Sequence, residues 1–145
     1  FFKEQRLFYM SQKAVNAGKI SVPIMNKIEK LCDSIDKFIN EPDSPRLIHG
    51  DIWSGNVLCK NGKVNSFIDP AIYFANPEIE LAFSTLFGTF SDHFFSRYNE
   101  YYPIEPEFFE VRRDIYNLYP ILVHINLFGG SYVNSLSNTL RRFLG

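Results

Sequence analysis

Cysteine is scarce in this 145-residue chain, with only Cys32 and Cys59 present. Two thiols, one in a helical pattern and one in a strand-like run, make neither a disulfide framework nor a metal motif. They read as small buried hydrophobes suited to a reducing cytoplasm. Charge of one sign is also lacking. Lys and Arg total 15 against 16 Asp and Glu, a formal net charge of -1 with no basic block, which argues against nucleic acid or an anionic membrane as a partner. No apolar run approaches the ~20 residues of a membrane span, and the start has no charged-then-apolar leader pattern. Internal repeats and low-complexity segments are absent. What is abundant is apolar surface: 46% hydrophobic and 17% aromatic content is rich for a free-standing domain of this size, so part of it is expected to face a further piece of protein.

The periodicity is mostly helical. A first helix is expected over Phe2 to Ala17, ending near Gly18. Ile24, Ile28, Leu31, Ile35 and Phe38 then form a second amphipathic stripe before the Glu41-Pro42-Asp43-Ser44-Pro45 loop. Arg46 to His49 reads as a short strand. Further helices are expected over Pro77 to about Phe87, Asp92 to about Tyr101, Glu107 to Phe128 with a bend or break at Pro120, and Tyr132 to Phe143. Asn76 should cap the helix that opens at Pro77. Ile115, Leu118, Leu122 and Ile125 recur at helical intervals and mark core.

Within this helical frame lies one non-helical stretch, His49-Gly50-Asp51-Ile52-Trp53-Ser54-Gly55-Asn56, followed by Phe67-Ile68-Asp69-Pro70. An Asp able to accept a hydroxyl proton, an Asn five positions later and a second Asp downstream are the parts a phosphoryl-transfer site needs. Asn61-Gly62 is a strong signal for a type I′ hairpin turn, because both central positions of that turn need positive φ. If these two residues form the turn, Lys60 faces Lys63 and, counting outward, Asn56 faces Phe67. Asn56, Phe67 and Asp69 then share one face, with Val57, Cys59, Val64 and Ile68 on the other. Asn56 and Asp69 become diagonal neighbours about 7–8 Å apart at the backbone, able to converge on a hard cation through oxygen.

Single Asp and Asn residues near turns are usually caps, and a lone Asp-x-x-x-x-Asn would carry little weight. The conjunction of His-Gly-Asp at a strand end, the Asn spacing, the hairpin and the Ile-Asp-Pro run is what points to chemistry. His49 reads as an orienting residue that bonds backbone around the loop rather than as base or ligand. Between Asp69 and the helix signal at Asn76 lie only Pro70 to Ala75, too short for an activation segment that would hold a peptide, so a small-molecule acceptor is expected.

These residues, with Ile68-Asp69-Pro70-Ala71, Glu78-Ile79-Glu80-Leu81-Ala82, Phe87-Gly88-Thr89-Phe90-Ser91 and Asn126-Leu127-Phe128-Gly129-Gly130, resemble the fructosamine/ketosamine kinases, a branch of the aminoglycoside-phosphotransferase-like, protein-kinase-like fold. The match is dense from about Leu47 to Phe143 and thinner before it. The resemblance implies a mainly α fold with a small β-hairpin, a single domain over 1–145 corresponding to the helical C-terminal lobe, with the N-terminal nucleotide-binding lobe outside this chain. It implies ATP- and magnesium-dependent phosphorylation of a sugar hydroxyl on a ketosamine or other glycated amine. Asp51 would be the catalytic base, Asn56 and Asp69 the magnesium and nucleotide-binding residues, and Trp53 a substrate contact. Glu80 would cap and brace the loop.

Two departures stand out. Phe74-Ala75-Asn76-Pro77-Glu78 replaces a Gly-His-Arg-Glu type run, and no glycine-rich phosphate loop, strand lysine or partnered helix Glu is present. A kinase of another small alcohol, such as an aminoglycoside or a choline-like acceptor, is an alternative within the same chemistry. A non-catalytic lobe acting as a binding module is one outside it. A metal-dependent hydrolase using His49, Asp51 and Asp69 lacks the additional ligands such sites gather.

Overall fold

The computed structural model describes residues 1–39, 42 and 44–145, so the loop expected at Glu41 to Pro45 lies partly outside the described residues. The chain is mainly α-helical, with two separate two-stranded antiparallel sheets. It divides into two compact units, one of Phe1–Asn40 with Asn117–Gly145 and one of Glu41–Tyr116.

The first unit is all helix. Wide π-type turns over Phe2–Phe8 run into α1 (Tyr9–Asn16), followed by α2 (Val22–Asp33) and a 3-10 turn at Ile35–Lys37. The last helix, α6 (Tyr132–Leu144), packs on α2. The stripe expected from spacing is the core: Ile28, Leu31 and Ile35 are buried together with Leu7, Leu136 and Leu140. Arg6 is held by donation to the Tyr119 hydroxyl at 2.6 Å and by its guanidinium lying over the same ring. Lys19 donates to the Asn126 carbonyl at 2.6 Å.

Of the bend or break expected at Pro120, the break does not occur: α5 (Arg113–Phe128) runs through the proline as one helix. The proline forfeits one backbone donor and crowds the preceding turn, roughly a 3 kcal/mol penalty. Burial of Leu118, Ile121, Leu122 and Ile125 around it outweighs that, at about 1.5–3 kcal/mol per fully buried aliphatic side chain.

The second unit holds the strands. β1 (Arg46–Ile48) pairs with β4 (Tyr73–Ala75), Ile48 opposite Tyr73 and Arg46 opposite Ala75. The β4 strand went unread in the sequence, although Ile72-Tyr73-Phe74 carries the β-branched and aromatic residues that favour one. β2 (Val57–Lys60) and β3 (Lys63–Phe67) form the expected hairpin, with Asn61 and Gly62 both at positive φ and Lys60 opposite Lys63.

The expected register does not persist along the hairpin. A bulge between Leu58 and Cys59 places Leu58 opposite Ser66 and Val57, not Asn56, opposite Phe67. The extra residue is Asn65, whose exposed amide bonds Ser66 Oγ at 3.1 Å. A polar pair facing solvent absorbs an inserted residue at small cost. Cys59 is exposed, contrary to expectation, whereas Cys32 is buried and its thiol is pushed up to about 11, chiefly by desolvation.

α3 (Pro77–Leu86) starts as anticipated: Asn76 Oδ1 accepts from the Glu78 N–H at 2.9 Å and Pro77 opens the first turn, a cap worth about 1 kcal/mol. α4 (Asp92–Tyr101) follows. Glu78, buried, receives Arg112 through both carboxylate oxygens at 2.6 Å each. That fork fastens the start of α3 to the π-type turns of Phe108–Arg112. Tyr116 is buried beside this pair, and desolvation followed by the Glu78 charge pushes its phenol up to about 12.

Candidate active site

The loop between β1 and β2 is anchored at several places. The N–H groups of His49 and Gly50 donate to the two carboxylate oxygens of Glu80, at 3.0 and 3.2 Å. Glu80 sits in the first turn of α3, so a helix start fixed by Asn76 and Pro77 positions the brace. Gly50 has φ +82, and a Cβ added there would lie 2.1 Å from the Ala71 carbonyl oxygen. Glycine is therefore the residue that lets the two backbones approach and lets the Ala71 N–H reach His49 O at 2.8 Å.

The His49 ring orients the loop from within. Its Nδ1 accepts from the Asp51 N–H at 3.3 Å, so its Nε2 carries the proton that meets Ile68 O at 3.0 Å. That is the orienting role expected of it.

Ser54–Asn56 form a 3-10 turn, closed by the Asn56 N–H on Trp53 O at 2.9 Å. Asn56 is 6% exposed. Its Nδ2 donates to Asp51 O at 2.9 Å and to Asp51 Oδ2 at 3.0 Å. Both amide protons thus point at Asp51, and among the described residues nothing donates to Asn56 Oδ1. The two residues are brought together by the turn and not by the hairpin register.

Asp69 is reached by another route. The Ile68 N–H donates to Asn56 O at 3.0 Å while Ile68 O faces the His49 ring, so Ile68 is held on both sides. Two residues beyond Asp69, Ala71 is tied back to His49 O. Asp69 therefore occupies a short arch between two anchors on the same loop, with φ +50 and an exposed side chain. Its carboxylate makes no hydrogen bond or ion pair among the described residues, and none joins it to Asp51 or Asn56. The diagonal strand pairing expected of Asn56 and Asp69 is replaced by this arrangement, because the bulge puts Asn56 opposite Ile68.

Trp53 is 41% exposed. Its indole lies across Gly55, where an added Cβ would come within 2.4 Å of the ring, and its edge meets Phe87 with centroids 6.4 Å apart. It is steadied on one face and open to solvent on the rest.

Among the described residues no three His, Cys, Asp or Glu side chains gather as a metal cluster. The oxygen set of Asn56 Oδ1 and the Asp69 carboxylate is nevertheless of the hard type that suits magnesium, which takes few protein ligands and keeps water and phosphate for the rest. The arrangement pairs an oriented carboxylate with an amide oxygen that has no donor among the described residues. Sequence reasoning overlooked the role of Gly50 against Ala71. The signal was the Gly itself, at a position where protein kinases carry Arg.

The fructosamine kinase family matches the chain over residues 1–145. The chain belongs to that family. A ketoamine kinase so named from Vibrio parahaemolyticus is 37% identical over 146 residues, covering 99% of this chain and 48% of its own length. A chloroplastic protein-ribulosamine 3-kinase from Oryza sativa subsp. japonica is 41% identical over 100 residues, covering 69% of this chain and 29% of its own. A solved structure from Thermobifida fusca, named as a fructosamine-3-kinase, superposes with a TM-score of 0.89 at 34% identity, covering 97% of this chain and 49% of that one. The chain thus spans about half the length of the curated relatives it matches. No helix among the described residues is long and apolar enough to cross a membrane.

Proposed function

We propose that this fructosamine kinase family chain is the C-terminal catalytic lobe of an ATP- and magnesium-dependent kinase that phosphorylates a sugar hydroxyl on a ketosamine. A further lobe supplies the remaining nucleotide contacts. Asp51 accepts the proton of the acceptor hydroxyl as its oxygen bonds to the γ-phosphorus of ATP and the bond to ADP breaks, leaving a phosphate monoester. Asn56, through Oδ1, and Asp69, through its carboxylate, would hold magnesium. When bound, the cation stabilises charge on the phosphoryl oxygens. Trp53 offers its open indole face to the sugar, a flat apolar surface beside a polar ring.

The observation that carries this reading is the Asn56 amide. One side chain holds the Asp51 carboxylate with its N–H and keeps an oxygen available for a cation, so proton acceptor and metal ligand are fixed together. Relatives named for ketoamines, fructosamines and ribulosamines support the acceptor class.

The test is a phosphorylation assay on the complete protein with ATP over a panel of glycated amines, aminoglycosides and simple sugars. Asp51→Asn should lower kcat by at least about 10²-fold with the fold retained, because general-base catalysis contributes roughly 10²–10⁴-fold. Asp69→Ala should weaken magnesium-nucleotide binding. Comparable turnover in the first variant, or unchanged nucleotide affinity in the second, removes the corresponding assignment.

A further inference from the structure

Aromatic side chains recur every fourth residue along α4 and its flanks: Phe90, Phe94, Tyr98 and Tyr102. Residues four apart lie nearly in line on a helix, and these rings form a ladder. Phe90 and Phe94 stack with centroids 4.0 Å apart, and the next two steps are 6.1 Å each. The ladder walls an open cavity of about 480 Å³, with β1 and Phe67 on the other side. That is room for a small organic molecule, and the lining has the character such sites have, apolar with few polar groups.

The charged groups that line the cavity differ in sign and place. Glu80 is bonded to the backbone of His49 and Gly50 through its two oxygens. Arg46 stands at the start of β1, its guanidinium 5.9 Å from the Tyr102 ring centroid. A strand rises about 3.3 Å per residue, so Arg46 and His49 are roughly 10 Å apart along the chain. Tyr98 lies within reach of both charges, and its phenol is raised first by burial and then by Glu80, so it stays a neutral donor at physiological pH.

We infer that this cavity binds a planar aromatic carboxylate, with its ring along the ladder and its acid group on Arg46. The Glu80 charge repels an anion from the other end and so sets the direction of entry. The proposed phosphoryl transfer makes no use of the ladder. His49 and Glu80 nevertheless line the cavity, so occupancy would act on the loop that carries Asp51 and alter turnover without competing for the acceptor site. That consequence rests on the kinase reading; the binding does not.

Calorimetric titration of the complete protein with indole-3-acetate and with the neutral indole-3-acetamide tests it. The acid should bind about fivefold more tightly than the amide, as one partly solvated ion pair allows. Arg46→Gln, at an exposed position, should bring the two level, while Phe94→Ala should weaken both. Equal affinities in the parent, a preference that survives Arg46→Gln, no measurable heat with either probe, or competitive displacement by a ketosamine would each overturn the inference. If only the kinase reading fails, this binding pattern remains and no acceptor on the panel is phosphorylated.

Discussion

Substituting alanine at Gly50 probes a close approach of two backbone segments in the site. The backbone there has φ +82, and an L-residue forced into that region loses about 1–2 kcal/mol. The new Cβ would also stand 2.1 Å from Ala71 O and 2.9 Å from Ala71 C. Relieving that contact requires the two segments to separate by about 1 Å, which gives up the Ala71 to His49 hydrogen bond, worth roughly 1 kcal/mol. The total is about 2–3 kcal/mol. Gly62→Ala is the matched control: its φ is +74 and nothing lies within 4 Å of the added carbon, so only the conformational part, about 1–2 kcal/mol, applies. Both variants gain the same amount from the stiffer unfolded chain, so that contribution cancels in the difference. Urea denaturation of the complete protein should show Gly50→Ala less stable than Gly62→Ala by about 1 kcal/mol, and kcat should fall in the first variant only. Equal stability losses would refute the steric argument, whatever the kinetics.

Glu80→Gln keeps one acceptor oxygen but turns an amide nitrogen toward a backbone donor; kcat should fall about tenfold with KM for ATP changed less, and wild-type turnover in steady-state assays would contradict the brace. The Tyr116 phenol is raised from 10 to about 12, so between those values the unfolded state ionises while the folded state keeps its proton. Stability is therefore full below pH 10 and declines by about 2–3 kcal/mol as the pH rises toward 12. Tyr116→Phe should remove that part of the slope in alkaline denaturation series. Iodoacetamide at pH 8 should label exposed Cys59 readily and leave buried Cys32 unmodified until the protein unfolds, as read by peptide mass spectrometry.

The helices, their caps and the hairpin turn were legible because each rests on local chemistry. Asn76 before Pro77 is a cap in the sequence and in the structure, and Asn61-Gly62 can hardly be other than a turn with two positive φ values. Ile115, Leu118, Leu122 and Ile125 repeat at the helical period and are buried. The errors lie where distant segments decide. The bulge at Leu58 and Cys59, with Asn65 as its extra residue, moved Asn56 from Phe67 to Ile68. Pro120 reads as a bend or break, and the break is absent because of the burial around it. β4 needs β1 as its partner, three short residues on each side, and neither announces the other. Asp51 and Asn56 were paired as candidates by spacing, but the bonds that join them come from a 3-10 turn the spacing does not specify.

The pairing of β1 with β4 has a practical consequence for protein engineering. Everything from the His-Gly-Asp loop to the Ile-Asp-Pro arch is suspended between those two strands, while the hairpin tip at Asn61 and Gly62 projects into solvent with nothing around the glycine. Extra residues spliced in at that tip, or new termini opened there, would leave both ends of the span still clamped. A reporter or tether can thus be attached close to the proposed site without loosening the residues that form it.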